Sequence, residues 1–211
     1  MSGISRYNLF GGEKKSRGIF LDVLLVVLCV IMFAALILRQ FVFFPVSVSG
    51  SSMYKTIESG DVLIIDKFAK VKRGDVVVID MGGGVNFIKR VIGMPEETVY
   101  IAYGEVYVTR KDGKREKLDE PYAYYKDGSG KTLVNDSEEP FEITLGPDQI
   151  FFMGDNRKIS HDSRAADVGS RSINDVLGVV PKWSIDNRKL ITGYYGFSAK
   201  VSGFFAGLFK K

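Results

Sequence analysis

Few side chains in this sequence can do covalent chemistry at neutral pH. Two serines stand together in Gly50-Ser51-Ser52-Met53, and downstream Lys89 stands in Val85-Asn86-Phe87-Ile88-Lys89-Arg90-Val91-Ile92-Gly93. A serine hydroxyl and a lysine amine suffice for acyl transfer, the oxygen attacking a carbonyl while the amine takes its proton. The amine must first be neutral. As a strand, Val85 to Ile92 puts Val85, Phe87, Lys89 and Val91 on one face, so the amine has apolar neighbours. Desolvation disfavours the ammonium form and lowers a buried lysine's pKa by up to ~3–5 pH units. The competing reading makes Lys89 and Arg90 solvated charges that protect a strand edge. Composition does not choose between Ser51 and Ser52.

Other chemistries are excluded by what the chain lacks. Cys29 is the only cysteine and His161 the only histidine, which rules out an internal disulfide, a Cys-based metal site and a two-His motif. The net charge is +4, but bases and acids are interspersed, and the only basic cluster is Lys14, Lys15 and Arg17. Nucleic acid is therefore not expected as a partner. No pair of carboxylates has a spacing that suggests general acid and base.

The elements that must position the serine and lysine begin with an apolar run, Ile19 to Leu38, in which Asp22 is the only charge. At ~1.5 Å per residue it spans ~30 Å of hydrocarbon as a helix. Lys14, Lys15 and Arg17 precede it, which predicts an N-terminal tail in the cytoplasm and everything after Leu38 on the outside. A cleavable leader is the competing reading. Its cut site, Ser47-Val48-Ser49, would abut the seryl segment and strip the strand that leads into it.

Beyond the span, Asp61 to Asp66, Asp75 to Asp80, Val85 to Ile92, Thr98 to Ala102 and Val106 to Thr109 read as strands, with glycines between them. Gly113 to Pro147 is polar and reads as an excursion carrying one or two hairpins. Strand character returns at Ile150 to Met153 and Val176 to Val180. The predicted fold is mainly β: an antiparallel twisted sheet domain with a smaller inserted β lobe, preceded by one transmembrane helix. The expected organisation is a cytoplasmic tail over 1–18, the span over 19–38, an extracytoplasmic domain over 39–193 with its lobe at about 103–148, and an amphipathic tail over 194–211. That tail mixes Phe197, Phe204, Phe205 and Phe209 with Lys200, Lys210 and Lys211, which suits a membrane surface; a frayed tail has the same composition.

Three blocks share one explanation. Gly50-Ser51-Ser52-Met53-Tyr54-Lys55-Thr56, Lys89-Arg90-Val91-Ile92-Gly93-Met94-Pro95 and Gly154-Asp155-Asn156-Arg157-Lys158-Ile159-Ser160-His161-Asp162-Ser163-Arg164 together resemble bacterial type I signal peptidases. The first is similar to that family's Ser-Met-X-Pro-Thr segment, the second to its Lys-Arg-hydrophobic-hydrophobic-Gly-X-Pro segment, and the third to Gly-Asp-Asn-Arg followed by Ser-X-Asp-Ser-Arg. The resemblance implies Ser52 as nucleophile, Lys89 as general base and Ser160 as a hydroxyl that orients the amine. It implies Asp162 and Arg164 as a supporting buried ion pair. It further implies signal peptides with small residues at the first and third positions before the cut, a lipid bilayer to hold the enzyme, and no cofactor. Gly50, Ser51, Met53, Phe87 and Ile88 are the candidate substrate-binding residues, because an extended peptide adds to an all-β site as a strand.

The chain departs from that pattern at Lys55, where the family usually has proline, at Glu96-Glu97 in place of Gly-Asp, and at Lys158 in place of Asp. Gly50 stands where some members place an oxyanion-binding hydroxyl. His161 falls in a variable slot and reads as an ordinary exposed residue. Self-cleaving SOS-response repressors use the same Ser-Lys pairing, but a DNA-binding domain occupies the place of Ile19 to Leu38. The rival from another class is a non-catalytic membrane-tethered β module that binds extended peptides.

Overall fold

The computed structural model describes residues 14–125, 128–134 and 139–208. The chain forms two compact units, Met1–Val42 and Phe43–Lys211. In the first, α1 (Lys14–Val42) is a single 29-residue helix. Its Gly18–Leu36 stretch has a mean hydropathy of 3.0 and is long and apolar enough to cross a membrane. Every residue of that stretch is exposed. A helix apolar on all faces has no polar side to give to water.

The second unit is mainly β, as its Val-, Ile- and Tyr-rich runs between glycines predict. A seven-stranded antiparallel sheet runs β1 (Phe43–Ser47), β2 (Val62–Asp66), β11 (Val176–Val180), β3 (Val76–Asp80), β4 (Asn86–Gly93), β9 (Gln149–Met153) and β10 (Arg171–Ser172) in spatial order. A four-stranded antiparallel sheet orders β7 (Arg115–Lys117), β6 (Glu105–Thr109), β5 (Thr98–Ala102) and β8 (Phe141–Thr144). The expected strands recur with ends shifted by a residue or less, since β-branched runs bounded by glycine leave little choice of register.

β3 shows why its sequence is an unbroken apolar run. Val76 and Val78 join one cluster with Met53, Ile57, Leu63 and Ile65, while Val77 and Ile79 join another with Val91, Ile150 and Phe152. A strand buried on both faces has no polar alternation to show. At the end of β4 its register against β9 shifts between Val91 and Gly93. A Cβ on Gly93 would lie 2.5 Å from Val99 Cγ2, so only glycine lets the two sheets close over Ile92, Val99, Phe151 and Met153.

The chain ends in α2 (Lys182–Asp186) and α3 (Arg188–Leu208). β2 meets β11 at a single pair, Val179 with Asp66, and its remaining N–H groups on that side need other acceptors. Ile64 N–H donates to Ser184 Oγ and Val62 N–H to Thr192 Oγ1, both at 2.8 Å. The two helices thus finish the sheet.

Candidate active site

Lys89 lies within β4, where it pairs with Val77 across the sheet. It is 4 % exposed and Arg90 is 9 % exposed, so neither is a solvated edge charge. Period two sets Lys89 on the side of Phe87, with its Nζ 5.1 Å from the Phe87 ring centroid. Burial lowers the Lys89 pKa to about 8; the Asp162 carboxylate raises it in part, and the Arg164 guanidinium lowers it further. A neutral amine is accessible near neutral pH. An ordinary lysine's is not.

The seryl segment follows β1. Gly50 takes a φ of +94°, left-handed backbone that turns the chain out of the strand. After Ser51 and Ser52 a tight turn closes through Tyr54 N–H to Ser51 O and Ile57 N–H to Met53 O. Met53 and Ile57 are buried against β2 and β3, which pins the turn and leaves Ser51 exposed and Ser52 half-buried.

Gly50 to Met53 and Phe87 to Lys89 line one cleft of about 410 Å³, together with Val46 to Ser49, Asn86, Ile159 and His161. The structure therefore brings Ser52 and Lys89 to the same cavity with all five candidate substrate-binding residues. β4 is paired with β3 from Asn86 to Arg90, but with β9 only from Arg90 onward. Among the described residues, the Asn86–Lys89 stretch thus has one edge without a strand. That edge borders the cleft.

Asp162 and Arg164 are near enough to act on the lysine's charge, and Ser160 stands beside Asp162. Arg164 Nε and Nη2 donate to the two Asp162 oxygens at 2.8 and 2.9 Å, and Gly154 N–H donates to Asp162 Oδ2 at 2.9 Å. Burial pushes the Asp162 carboxyl up, yet Arg164, Gly154 and Ser160 outweigh it and hold the group below the usual carboxylate range. Ser160 Oγ is buried without a well-formed hydrogen bond, although it is near enough to Asp162 to stabilise that charge. It is available to an amine.

The third block's first residues carried the resemblance, but the sequence assigned them no individual role. A Cβ on Gly154 would meet Ser160 Oγ at 2.2 Å and Ser52 O at 2.4 Å, so glycine alone lets those two segments meet. Asn156 N–H donates to Ser52 O at 2.9 Å and its Nδ2 to Ser51 O at 3.1 Å. Asp155 receives both forks of Arg90 at 2.8 and 2.7 Å and the Thr56 hydroxyl at 2.5 Å, which ties β4 to the seryl turn. Arg157 makes a matching two-pronged bond to Glu120, at 2.7 and 2.6 Å. His161, expected to be an ordinary exposed residue, is exposed but forms part of the cleft wall and pairs with Asp167 at 3.0 Å. Lys55 lies with its Nζ 4.8 Å from the Tyr124 ring centroid, over an aromatic face.

Among the described residues no group of three or more His, Cys, Asp or Glu side chains could hold a metal ion. A mainly β domain in which a desolvated lysine and a serine share one cleft has the groups of a Ser-Lys hydrolase. Comparison with known proteins makes this specific: the family model "Signal peptidase, peptidase S26" matches residues 21–190, and the chain belongs to that family. It is 37% identical over 165 residues to signal peptidase I U of Bacillus subtilis, covering 73% of this chain and 83% of that protein. Similar matches are signal peptidase I of Bacillus amyloliquefaciens, 36% identical over 68% of this chain and 75% of that protein, and signal peptidase I S of Bacillus subtilis, 36% identical over 62% and 71%. α1 fits the membrane anchor of such an enzyme.

Proposed function

We propose that Ser52 and Lys89 carry the signal-peptidase activity of this chain, the removal of signal peptides from exported preproteins. The observation that carries the assignment is the 4 % exposure of Lys89 in the same cleft as Ser52, with its pKa lowered to about 8. Neutral Lys89 accepts the Ser52 proton as Oγ attacks the scissile carbonyl carbon. The Ser52 backbone N–H donates to the oxyanion that forms. Collapse breaks the C–N bond, Lys89 returns the proton to the leaving amine, and an acyl-enzyme remains on Ser52. Water, deprotonated by the same amine, then attacks the acyl carbon; the C–O bond to Ser52 breaks, Lys89 returns the proton to Oγ, and the product leaves as the acid. A base of this kind contributes about 10²–10⁴-fold. Ser160, free of a well-formed bond in the resting site, orients the amine; Asp162 and Arg164 hold Ser160's loop in place.

The substrate enters as a strand. The unpaired edge of Asn86–Lys89 offers backbone groups on one side of the cleft, and Val46 to Gly50 forms the other wall. Small side chains before the cut, as in Ala-X-Ala, fit a cleft with Met53, Phe87 and Ile88 in its walls. α1 holds the enzyme in the bilayer that holds the signal peptide, which raises their effective concentration. Lys14, Lys15 and Arg17 favour a cytoplasmic N-terminus and a domain outside the plasma membrane. The non-catalytic binder gives no reason to desolvate a lysine.

The test is cleavage of a preprotein with an Ala-X-Ala site by the full chain and its Ser52→Ala and Lys89→Ala variants. Cleavage by the parent alone supports the assignment. Retained turnover in the Lys89→Ala protein rejects the base.

A further inference from the structure

The segment between β7 and β8 reaches back to the third block. Tyr124 bridges Asn156 in a parallel pair: its N–H donates to Asp155 O at 2.7 Å, and Arg157 N–H donates to Tyr124 O at 3.0 Å. The two bonds bracket Asn156. Side chains reinforce the bridge, since Glu120 takes both forks of Arg157, Thr132 Oγ1 accepts from Arg157 Nη1 at 2.8 Å, and Leu133 O accepts from Arg164 Nη1 at 2.9 Å. The Tyr122 ring centroid lies 4.0 Å from the guanidinium carbon of Arg90, the residue after Lys89. Arg157 and Arg164 are buried, and a buried guanidinium must find acceptors for its N–H groups. The β7–β8 segment supplies them.

The side chain of Tyr124 meets the seryl turn itself. Tyr54 packs edge-on against it, with ring centroids 5.1 Å apart and planes at 70°, and Lys55 Nζ stands over the same ring. Met53 and Ile57 fix this turn in the core, whereas Tyr54 and Lys55 between them are exposed and rest on the Tyr124 ring. Tyr124 therefore meets Ser52 by two routes. Its backbone holds the strip around Asn156, which binds the Ser51 and Ser52 carbonyl oxygens, and its ring holds the residues two and three places after Ser52. Neither Tyr54 nor Tyr124 lines the cleft.

We propose that the β7–β8 segment positions the nucleophile, with Tyr124 as the positioning residue that fixes the Ser52 turn from outside the cleft. An edge-to-face aromatic pair and a cation over a ring are directional contacts, so they set the place of the turn as well as its stability. Place matters to an attacking oxygen, because a shift of ~1 Å can lower a rate about 10²-fold. The segment thus has a part in turnover without touching substrate. The proposal rests on the reading of Ser52 as the nucleophile of a peptidase.

Tyr124→Leu, Tyr54→Leu and the double variant of the full-length protein are compared with the parent on a short soluble peptide, at a temperature where all are folded. Tyr54 is exposed, so its variant removes the contact without opening the core. Each single change is expected to lower kcat roughly 3–10-fold, with KM near the parental value and the acidic limb still near pH 8. The double variant is expected to lose no more than the weaker single one, because the same contact is removed. Tyr124→Phe keeps the ring and is expected to return kcat to within about twofold of the parent. Parental kcat in both leucine variants overturns the proposal; so does a rise in KM alone, the mark of substrate binding, or losses that multiply in the double variant. Hydrogen–deuterium exchange needs no activity: in Tyr124→Leu, residues 50–57 are expected to exchange about tenfold faster while β5 and β6 keep the parental rate. Unchanged exchange over 50–57, or a rise shared by β5 and β6, overturns the proposal. If the parent does not cleave, or Ser52→Ala still does, the peptidase reading fails, while the exchange result still decides whether Tyr124 holds the turn.

Discussion

Asn156 holds Ser51 and Ser52 by their carbonyl oxygens. Its side-chain amide donates to Ser51 O at 3.1 Å and its backbone N–H to Ser52 O at 2.9 Å, while its own carbonyl accepts the Ser160 N–H at 3.1 Å. One residue thus couples the seryl segment to the loop of Ser160. The side-chain bond to Ser51 O is part-buried, and a bond of that kind contributes about 0.5–1.5 kcal/mol. Asn156→Ala is therefore expected to lower kcat roughly 2–10-fold with KM nearly unchanged, and to leave the pH profile in place. A rise in KM with normal kcat would mean that Asn156 serves substrate binding instead.

Asp162 raises the Lys89 pKa and stabilises Arg164. Replacing Asp162 by Asn removes the negative charge, so the Lys89 pKa falls and the acidic limb of the activity profile moves to lower pH. Arg164 loses its partner while buried, a penalty of roughly 3–5 kcal/mol, so the melting temperature falls as well. A pH profile that stays put, or moves to higher pH, contradicts the electrostatic arrangement.

Lys89 is kept at a cost to the fold. Its pKa is depressed from 10.5 to about 8, so below pH 8 the folded state holds a desolvated ammonium that the unfolded state solvates fully. Lys89→Met is expected to be inactive yet more stable at pH 7 by about 1–3 kcal/mol. As pH climbs from 8 through 10.5 the unfolded lysine loses its proton too, and the advantage of the variant shrinks. Denaturant titrations of both proteins at pH 7 and pH 10.5 measure this; a variant less stable than the parent at pH 7 rejects it.

Glu96, which departs from the family's usual glycine, sits at a φ of +63°. A non-glycine residue there carries a strain of about 1–2 kcal/mol, partly offset by the greater freedom of glycine in the unfolded chain. Glu96→Gly is expected to raise stability by about 0.5–1 kcal/mol without changing turnover, as thermal unfolding and peptide cleavage would show. A destabilised variant would mean that the ion pair of Glu96 with Lys111 outweighs the strain.

The strands were legible because they are written in side chains, and the proposed pairing of Ser52 with Lys89 was reached through the family resemblance of three blocks. Val76 to Ile79 and Ile150 to Met153 announce strands by β-branched and apolar runs, Val85 to Ile92 by its period of two, and the three blocks carry their chemistry in residue types. What stayed hidden works through the backbone or through distant charge. Asn156 acts on two carbonyl oxygens, Gly154 by lacking a Cβ, and Arg90 through Asp155, 65 positions away in sequence. Arg90 was as easily a solvated strand charge until the fold supplied its partner. α3 was hidden in part because the glycines Gly193 and Gly196 weaken a helical reading that its packing on β2 restores.

The most direct measurement is the pH dependence of kcat/KM for a short soluble peptide, which reports the ionisations of the free enzyme. With neutral Lys89 as the base, the rate climbs as pH passes an apparent pKa near 8 and then levels, and the Lys89→Ala protein shows no such rise. A profile flat from mildly acidic to mildly alkaline pH, or a limb that survives in Lys89→Ala, would contradict the account.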